Sequence, residues 1–188
     1  MIGEDQEKLD KQGRCIRRSE VKNVSNVEKF LKEAFAGESQ ANRKYTAYAE
    51  KADKEGFSQA ARLFRAAAAA EAVHATNHLR AMKGIKSTKD NLQAAIEGED
   101  DEWEKMYPEM IRAAKLEGNK DAEMTFHYAN EVEKIHSQLY GDLRSGLATS
   151  QETFPYFVCP YCGNTVEKAA PGVCPICGAK GALFMKVE

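Results

Sequence analysis

FRAAAAAEAVH at residues 64–74 and FHYANEVEKIH at residues 126–136 decide how this chain is read. Phe64, Ala67, Glu71 and His74 recur in identity and spacing as Phe126, Ala129, Glu133 and His136, and self-similarity of this kind marks a structural repeat. Steps of three and four residues put each set on one face of a helix. The face continues through Ala122, Tyr140 and Leu143 on the later helix and through Ala60 and Ala81 on the earlier one, so both are expected to point into the core. An ionised glutamate on such a stripe costs several kcal/mol unless it is paired or bound to metal. One Glu-x-x-His on a helix is ordinarily structural or exposed; two of them in a repeat call for a shared cation.

Working outward, Ala34, Gly37 and Glu38 recur as Ala95, Gly98 and Glu99. The repeat therefore spans two helical hairpins, and each hairpin supplies one lone glutamate and one Glu-x-x-His pair. That is the ligand set with which four-helix carboxylate bundles hold two metal ions. Glu102 lies three residues after Glu99, one turn along the same face, and is a seventh candidate, although Asp100, Asp101 and Glu104 around it also fit a solvated face. Carboxylates bridge two irons and balance their charge in both oxidation states, and imidazole completes each shell. The charge of the five glutamates, Glu38, Glu71, Glu99, Glu102 and Glu133, falls between those of a diferrous and a diferric pair. His78 sits one turn beyond His74 and is read as a neighbour of the site or as packed, whereas His127 turns to the opposite side of its helix.

Helical periodicity rich in Ala, Glu, Lys and Leu runs from about Val27 to Arg144, with helices expected at 27–55, 58–83, 90–117 and 120–145. Gly56 and Gly118 mark the hairpin turns, and the looser segment Lys83 to Asp90 joins one hairpin to the next. The expected organisation is an N-terminal extension at 1–26, an all-α bundle at 27–146 and a small separate domain at 154–188. A formal net charge of −2 offers no broad basic field for nucleic acid; Arg14, Arg17 and Arg18 are read as a solvated tail. No apolar run reaches the length of a membrane span and the first residues lack the apolar segment of a signal peptide, so a cytoplasmic location is expected.

Four of the five cysteines form two matching knuckles, Cys159-Pro-Tyr-Cys162-Gly and Cys174-Pro-Ile-Cys177-Gly. In a reducing compartment this spacing points to metal rather than disulfide, and Cys15 is left as a free thiol. Four thiolates suit zinc or iron alike, and the redox-competent bundle beside them tips the expectation toward iron.

These residues resemble the rubrerythrin family. The resemblance runs from about Val27 to the end and rests on Ala34-Phe-Ala-Gly-Glu38-Ser-Gln40, both Glu-x-x-His pairs, Gly98-Glu99 followed by Glu102, Met106-Tyr107-Pro108 and the C-terminal knuckles. It implies an all-α ferritin-like four-helix bundle carrying a diiron site, joined to a rubredoxin-like (zinc-ribbon-like) domain with one iron. By the same resemblance, Glu71 and Glu133 bridge the irons, Glu38 and His74 serve one, and Glu99 and His136 serve the other. Glu102 is implied to hold one iron when oxidised, with His74 replacing it on reduction. Tyr45 and Tyr107 match tyrosines that hydrogen-bond to the ligating carboxylates, and Cys159, Cys162, Cys174 and Cys177 hold the single iron. The implied activity is reduction of hydrogen peroxide to water, with electrons from NAD(P)H through separate reductases or a rubredoxin, in a homodimer. Two other readings compete with this one. A ferritin-like iron store would show a mineral core in a large shell, and an inert bundle bearing a partner-recruiting zinc ribbon would be colourless. The extension at 1–26 and the acidic pair Asp100 and Asp101 depart from the family's usual pattern.

Overall fold

The computed structural model describes residues 26–149 and 152–188. The expectations for residues 1–25, including Cys15 and the three arginines, lie outside the described residues. The described elements fall into two compact units, one ending at Ile85 and the other running from Lys86 to Glu188.

In the first unit, α1 (Asn26–Lys54) and α2 (Ser58–Ala81) form a hairpin. Gly56 turns the chain at φ +83, a left-handed conformation that glycine adopts without steric cost. The helices meet along a seam of small side chains: Ala49, Ala52, Ala61, Ala68 and Ala75 are all buried. Asn42 Nδ2 donates to the Ala68 carbonyl at 2.7 Å and ties α1 to α2. The seam differs from the face anticipated from the repeat. Phe64 and Glu71 lie three residues beyond Ala61 and Ala68 and are half-buried, while Ala60, His74 and Ala81 are exposed. A two-helix hairpin buries one narrow line of contact, and alanine is the residue that lets two backbones come close enough to make it.

The second unit contains α3 (Thr88–Asp101), a π-helical turn (Glu102–Met106), α4 (Tyr107–Glu117) and α5 (Lys120–Gly146). Ser87 caps α3 by accepting from the Asp90 N–H. One continuous helix was expected over 90–117; the structure instead widens it at Glu102, where the Tyr107 N–H reaches back to the Glu102 carbonyl. Pro108 has no N–H for the Glu104 carbonyl and its ring crowds that group, and one widened turn relieves both problems. Turns of this kind recur at functional sites. Gly118 closes α4 at φ +68, and Asn119 caps α5 by accepting from the Ala122 N–H at 3.1 Å. Along α5, Ala122, Phe126, Ala129, Glu133, His136 and Tyr140 are half-buried, Leu143 is exposed and Val132 is fully buried.

The cysteine-bearing segment of this unit is a three-stranded antiparallel sheet in the order β2-β1-β3, from β1 (Tyr156–Val158), β2 (Thr165–Glu167) and β3 (Met185–Val187). Val158 pairs with Thr165 across β1 and β2. Its core is Cys159, Cys174 and Phe184, too small an apolar cluster to stabilise so short a segment without a cross-link or a metal. Among the described residues no helix is long and apolar enough to cross a membrane.

The cap on α5 provides a test of this local account. Asn119→Ala should lower unfolding stability by about 1 kcal/mol in urea titration, while Asn119→Asp should hold it within a few tenths.

Candidate metal centres

Each unit carries one three-ligand group. In the first, α1 brings Glu38 and α2 brings Glu71 and His74, with one ligand atom of each lying within 4.8 Å of the others. His74 Nδ1 is 2.9 Å from Glu71 Oε2. The Glu71 side chain keeps 20% of its surface exposed and that of His74 keeps 54%. In the same hairpin Tyr45 and Tyr48 pack on Phe64, with ring centroids 6.3 and 5.6 Å away.

The second unit repeats the arrangement with Glu99 from α3 and Glu133 and His136 from α5, again within 4.8 Å. His136 Nδ1 lies 2.7 Å from Glu133 Oε2 and 3.9 Å from Glu99 Oε1. These side chains are only 17–28% exposed. Burial, reinforced by the neighbouring Glu133 charge, raises the Glu99 carboxyl to about 7, with His136 working in the opposite direction. Glu102 is raised by burial and by Glu133 and Asp101. The hydrogen bond to Glu133 raises His136 against the effect of burial. Acids that resist ionisation around a histidine that favours it make a site short of positive charge. The structure leaves Glu102 outside the three-ligand group but close enough for Glu133 and His136 to act on it.

Tyr107 packs beside Phe126, with centroids 6.3 Å apart, and its hydroxyl is held above the usual range by burial and by Glu102, Glu133 and Glu99. Among the described residues, neither the Tyr45 nor the Tyr107 hydroxyl is hydrogen-bonded to a carboxylate. His127 is exposed and belongs to neither group. Reading the sequence missed a clamp beside the second group: Asp100 Oδ1 accepts from Ser137 Oγ at 2.6 Å and from Trp103 Nε1 at 3.0 Å. Both bonds hold the Asp100 carboxyl below its usual range. They pin the start of the π-helical turn to the turn of α5 that carries His136.

The four cysteine sulfurs also lie within 4.8 Å of one another. Cys159 and Cys177, and likewise Cys162 and Cys174, have their sulfurs 3.6 Å apart. That is far longer than a disulfide bond and close to the edge of about 3.8 Å expected for a tetrahedron of thiolates around a metal at about 2.3 Å. The two knuckles are built alike. Gly163 and Gly178, at φ +82 and +78, donate to the Cys159 and Cys174 carbonyls, and the Cys159 and Cys174 N–H groups donate to Asn164 and Ala179. Burial works against a Cys174 thiolate, yet the Cys177 and Ile176 N–H groups and the neighbouring thiols bring it down to about 7, while burial raises Cys162. The buried Asn164 places Nδ2 3.7 Å from Cys174 Sγ. Its position directly after the first knuckle glycine is the only sequence signal for that role.

The donor sets therefore fit metals of two kinds: carboxylate and imidazole for iron in the helical units, and a thiolate tetrahedron for one further ion.

Comparison with known proteins agrees with this chemistry. A family model described as Rubrerythrin matches residues 29–144. The chain is 36% identical over 180 residues to Rubrerythrin-2 of Clostridium acetobutylicum, covering 87% of this chain and 97% of that one. It is 34% identical over 168 residues to nigerythrin of Nitratidesulfovibrio vulgaris, covering 82% and 83%. Among solved structures, a mixed-valence state of nigerythrin superposes with a TM-score of 0.52 at 30% identity over the whole of both chains. The ferritin-like helical class, the rubredoxin-like C-terminal site and iron as the bound metal follow from these similarities together with the clusters.

The raised groups set a pH dependence for the metal-free protein. Glu99, Glu102 and His136 all have folded pKa values above their ordinary ones, so the stability they contribute is complete at low pH and is lost as pH rises through those values. Metal-free protein should therefore melt lower at pH 8 than at pH 5. Glu99→Gln should raise the melting temperature at pH 8 and change it little at pH 5, and loading with ferrous iron should remove the difference.

Proposed function

Because the chain belongs to the rubrerythrin family, whose members are iron-binding oxidoreductases of oxidative-stress defence, we propose that it is a non-haem diiron peroxidase. It reduces hydrogen peroxide to two waters with two electrons and two protons. The observation that carries the reading is the presence, in one chain, of two Glu, Glu and His groups and a tetrathiolate cluster.

Glu38, Glu71 and His74, with Glu99, Glu133 and His136, would make up the ligand complement of a diiron pair, Glu71 and Glu133 as its shared ligands. Cys159, Cys162, Cys174 and Cys177 would hold a third iron. When bound, the pair would supply two-electron chemistry toward peroxide, and the four-cysteine iron would supply single electrons. The protein's own groups set the conditions for this. Glu102, held next to the second group by the Asp100 clamp, offers an additional anionic oxygen, which suits the harder ferric state. Tyr107 lies close enough to Glu99, Glu102 and Glu133 for its hydroxyl to serve them, and Tyr45 would play the matching part by the family resemblance. The thiolates are stabilised by backbone N–H groups of both knuckles, and the family's use of iron favours a reducible iron there. Electrons start from NAD(P)H through a separate reductase or rubredoxin, in the cytoplasm, and the working form is a homodimer.

Iron content, the visible spectrum and peroxide turnover test this reading together. Glu71→Ala and Glu133→Ala should each lose both bundle irons, keep the red ferric tetrathiolate colour, and show only the turnover of iron-free protein. Cys174→Ser should lose the colour and halt NADH-linked turnover, yet permit one oxidation of the pre-reduced bundle by peroxide. Two bundle irons retained in either glutamate variant, or steady turnover in Cys174→Ser, would contradict the assignment.

A further inference from the structure

The second three-ligand group touches the cysteine-bearing sheet through a single hydroxyl. His136 Nε2 is 2.9 Å from Thr165 Oγ1, on the opposite side of the ring from the Nδ1 that faces Glu133 and Glu99. Thr165 Oγ1 also donates to the Gly163 carbonyl at 3.0 Å. A hydroxyl has one proton; directed at the Gly163 carbonyl, it leaves the oxygen to accept from the ring. That pairing matches the tautomer with the proton on Nε2 and Nδ1 open to a metal. Gly163 itself directly follows Cys162 and lies beside the buried Val132, near enough that an added Cβ would touch it, one turn before His136 on α5. The hydroxyl is thus fixed from both sides, by its strand pairing with Val158 and by this close approach.

We propose that Thr165 is a positioning residue that fixes which nitrogen of His136 binds iron, and so ties the geometry of a diiron ligand to the knuckle that holds the four-cysteine iron. The inference rests on the proposed diiron reading. Metal-bound histidines commonly donate their other N–H to an oxygen, which sets the ring orientation and makes the ligand more basic. Here that oxygen belongs to the cysteine-bearing module rather than to the helices, so the two centres are coupled by a two-hydrogen-bond link of Gly163, Thr165 and His136. Among the described residues, no oxygen of the cysteine-bearing module meets His74, whose ring is hydrogen-bonded to Glu71, and the two histidines of the repeat differ in this respect. A largely apolar cleft of about 240 Å³, lined in part by His136, Tyr140, Tyr156 and Thr165, opens beside the bond. Water can therefore reach the ring N–H when the hydroxyl is removed.

The test uses iron-loaded, fully reduced protein, in which the ring N–H protons of iron-bound histidines appear as exchangeable, paramagnetically shifted NMR signals. Two such signals are expected, with the His136 proton the slower to exchange with solvent. Thr165→Val keeps the shape and the strand preference of the side chain. It should speed exchange of the His136 signal at least tenfold, leave that of His74 unchanged, raise the reduction potential of the bundle irons and lower turnover by about tenfold to a hundredfold. Thr165→Ser should restore all of these, and an unaltered red colour in both variants establishes that the cysteine module is folded. Unchanged exchange and potential in Thr165→Val would overturn the positioning role while leaving the diiron reading intact. Absence of any shifted ring N–H signal in the parent protein would overturn the diiron reading, and this inference with it.

Discussion

Carboxylates gathered in a partly dry site cannot all remain ionised unless a cation sits among them, and that constraint organises this protein. Glu99 and Glu133 share one small space with His136, and Glu99 is driven to about 7 as a result. Without metal, the polypeptide responds by keeping protons on acids that would otherwise lose them. In the proposed metal-bound form the same residues would be its ligands, and the energetic liability would become binding energy. The α1–α2 hairpin gathers the matching residues in a wetter setting, with His74 more than half exposed. In both units the helices are held by other residues, the alanine seam in one and the caps and the Asp100 clamp in the other, which leaves the glutamates and histidines free for chemistry.

Much of this was legible in the sequence because helical periodicity and the repeat report the same geometry. The helix ends at Gly56 and Gly118 followed from the glycine placements, and the residues the repeat singled out fall in two groups, Glu38 with Glu71 and His74, and Glu99 with Glu133 and His136. What the pattern could not report was which line of residues seals the hairpin. Ala61, Ala68 and Ala75 lie in a run so rich in alanine that its sequence carries no directional information, and the seam is fixed by how closely two backbones approach. The π-helical turn was invisible for a different reason. One extra residue in a turn leaves the local composition unchanged, and Pro108 was its only outward mark.

The cysteine module divides in the same way. Paired knuckles announce a tetrahedral metal site by spacing alone, and the structure adds the matched backbone hydrogen bonds that make the spacing effective. Asn164 and Thr165 could not be singled out in advance, because a buried asparagine near a thiol and a threonine against a histidine are tertiary contacts. Thr165 is 29 residues from His136, and no local signal spans such a distance. The proposed link between the two metal sites rests on a contact of this type, so the sequence announces the sites more clearly than what joins them.

The central proposal is that Glu38, Glu71, His74, Glu99, Glu133 and His136 would hold two irons as one electronic unit. Adding one electron to the fully oxidised, iron-loaded protein and recording its electron paramagnetic resonance spectrum tests this directly. The account predicts a spin-coupled mixed-valence signal from the bundle irons, abolished by Glu71→Ala and by Glu133→Ala and retained in Cys174→Ser. Two uncoupled mononuclear ferric signals that persist in those glutamate variants would contradict it.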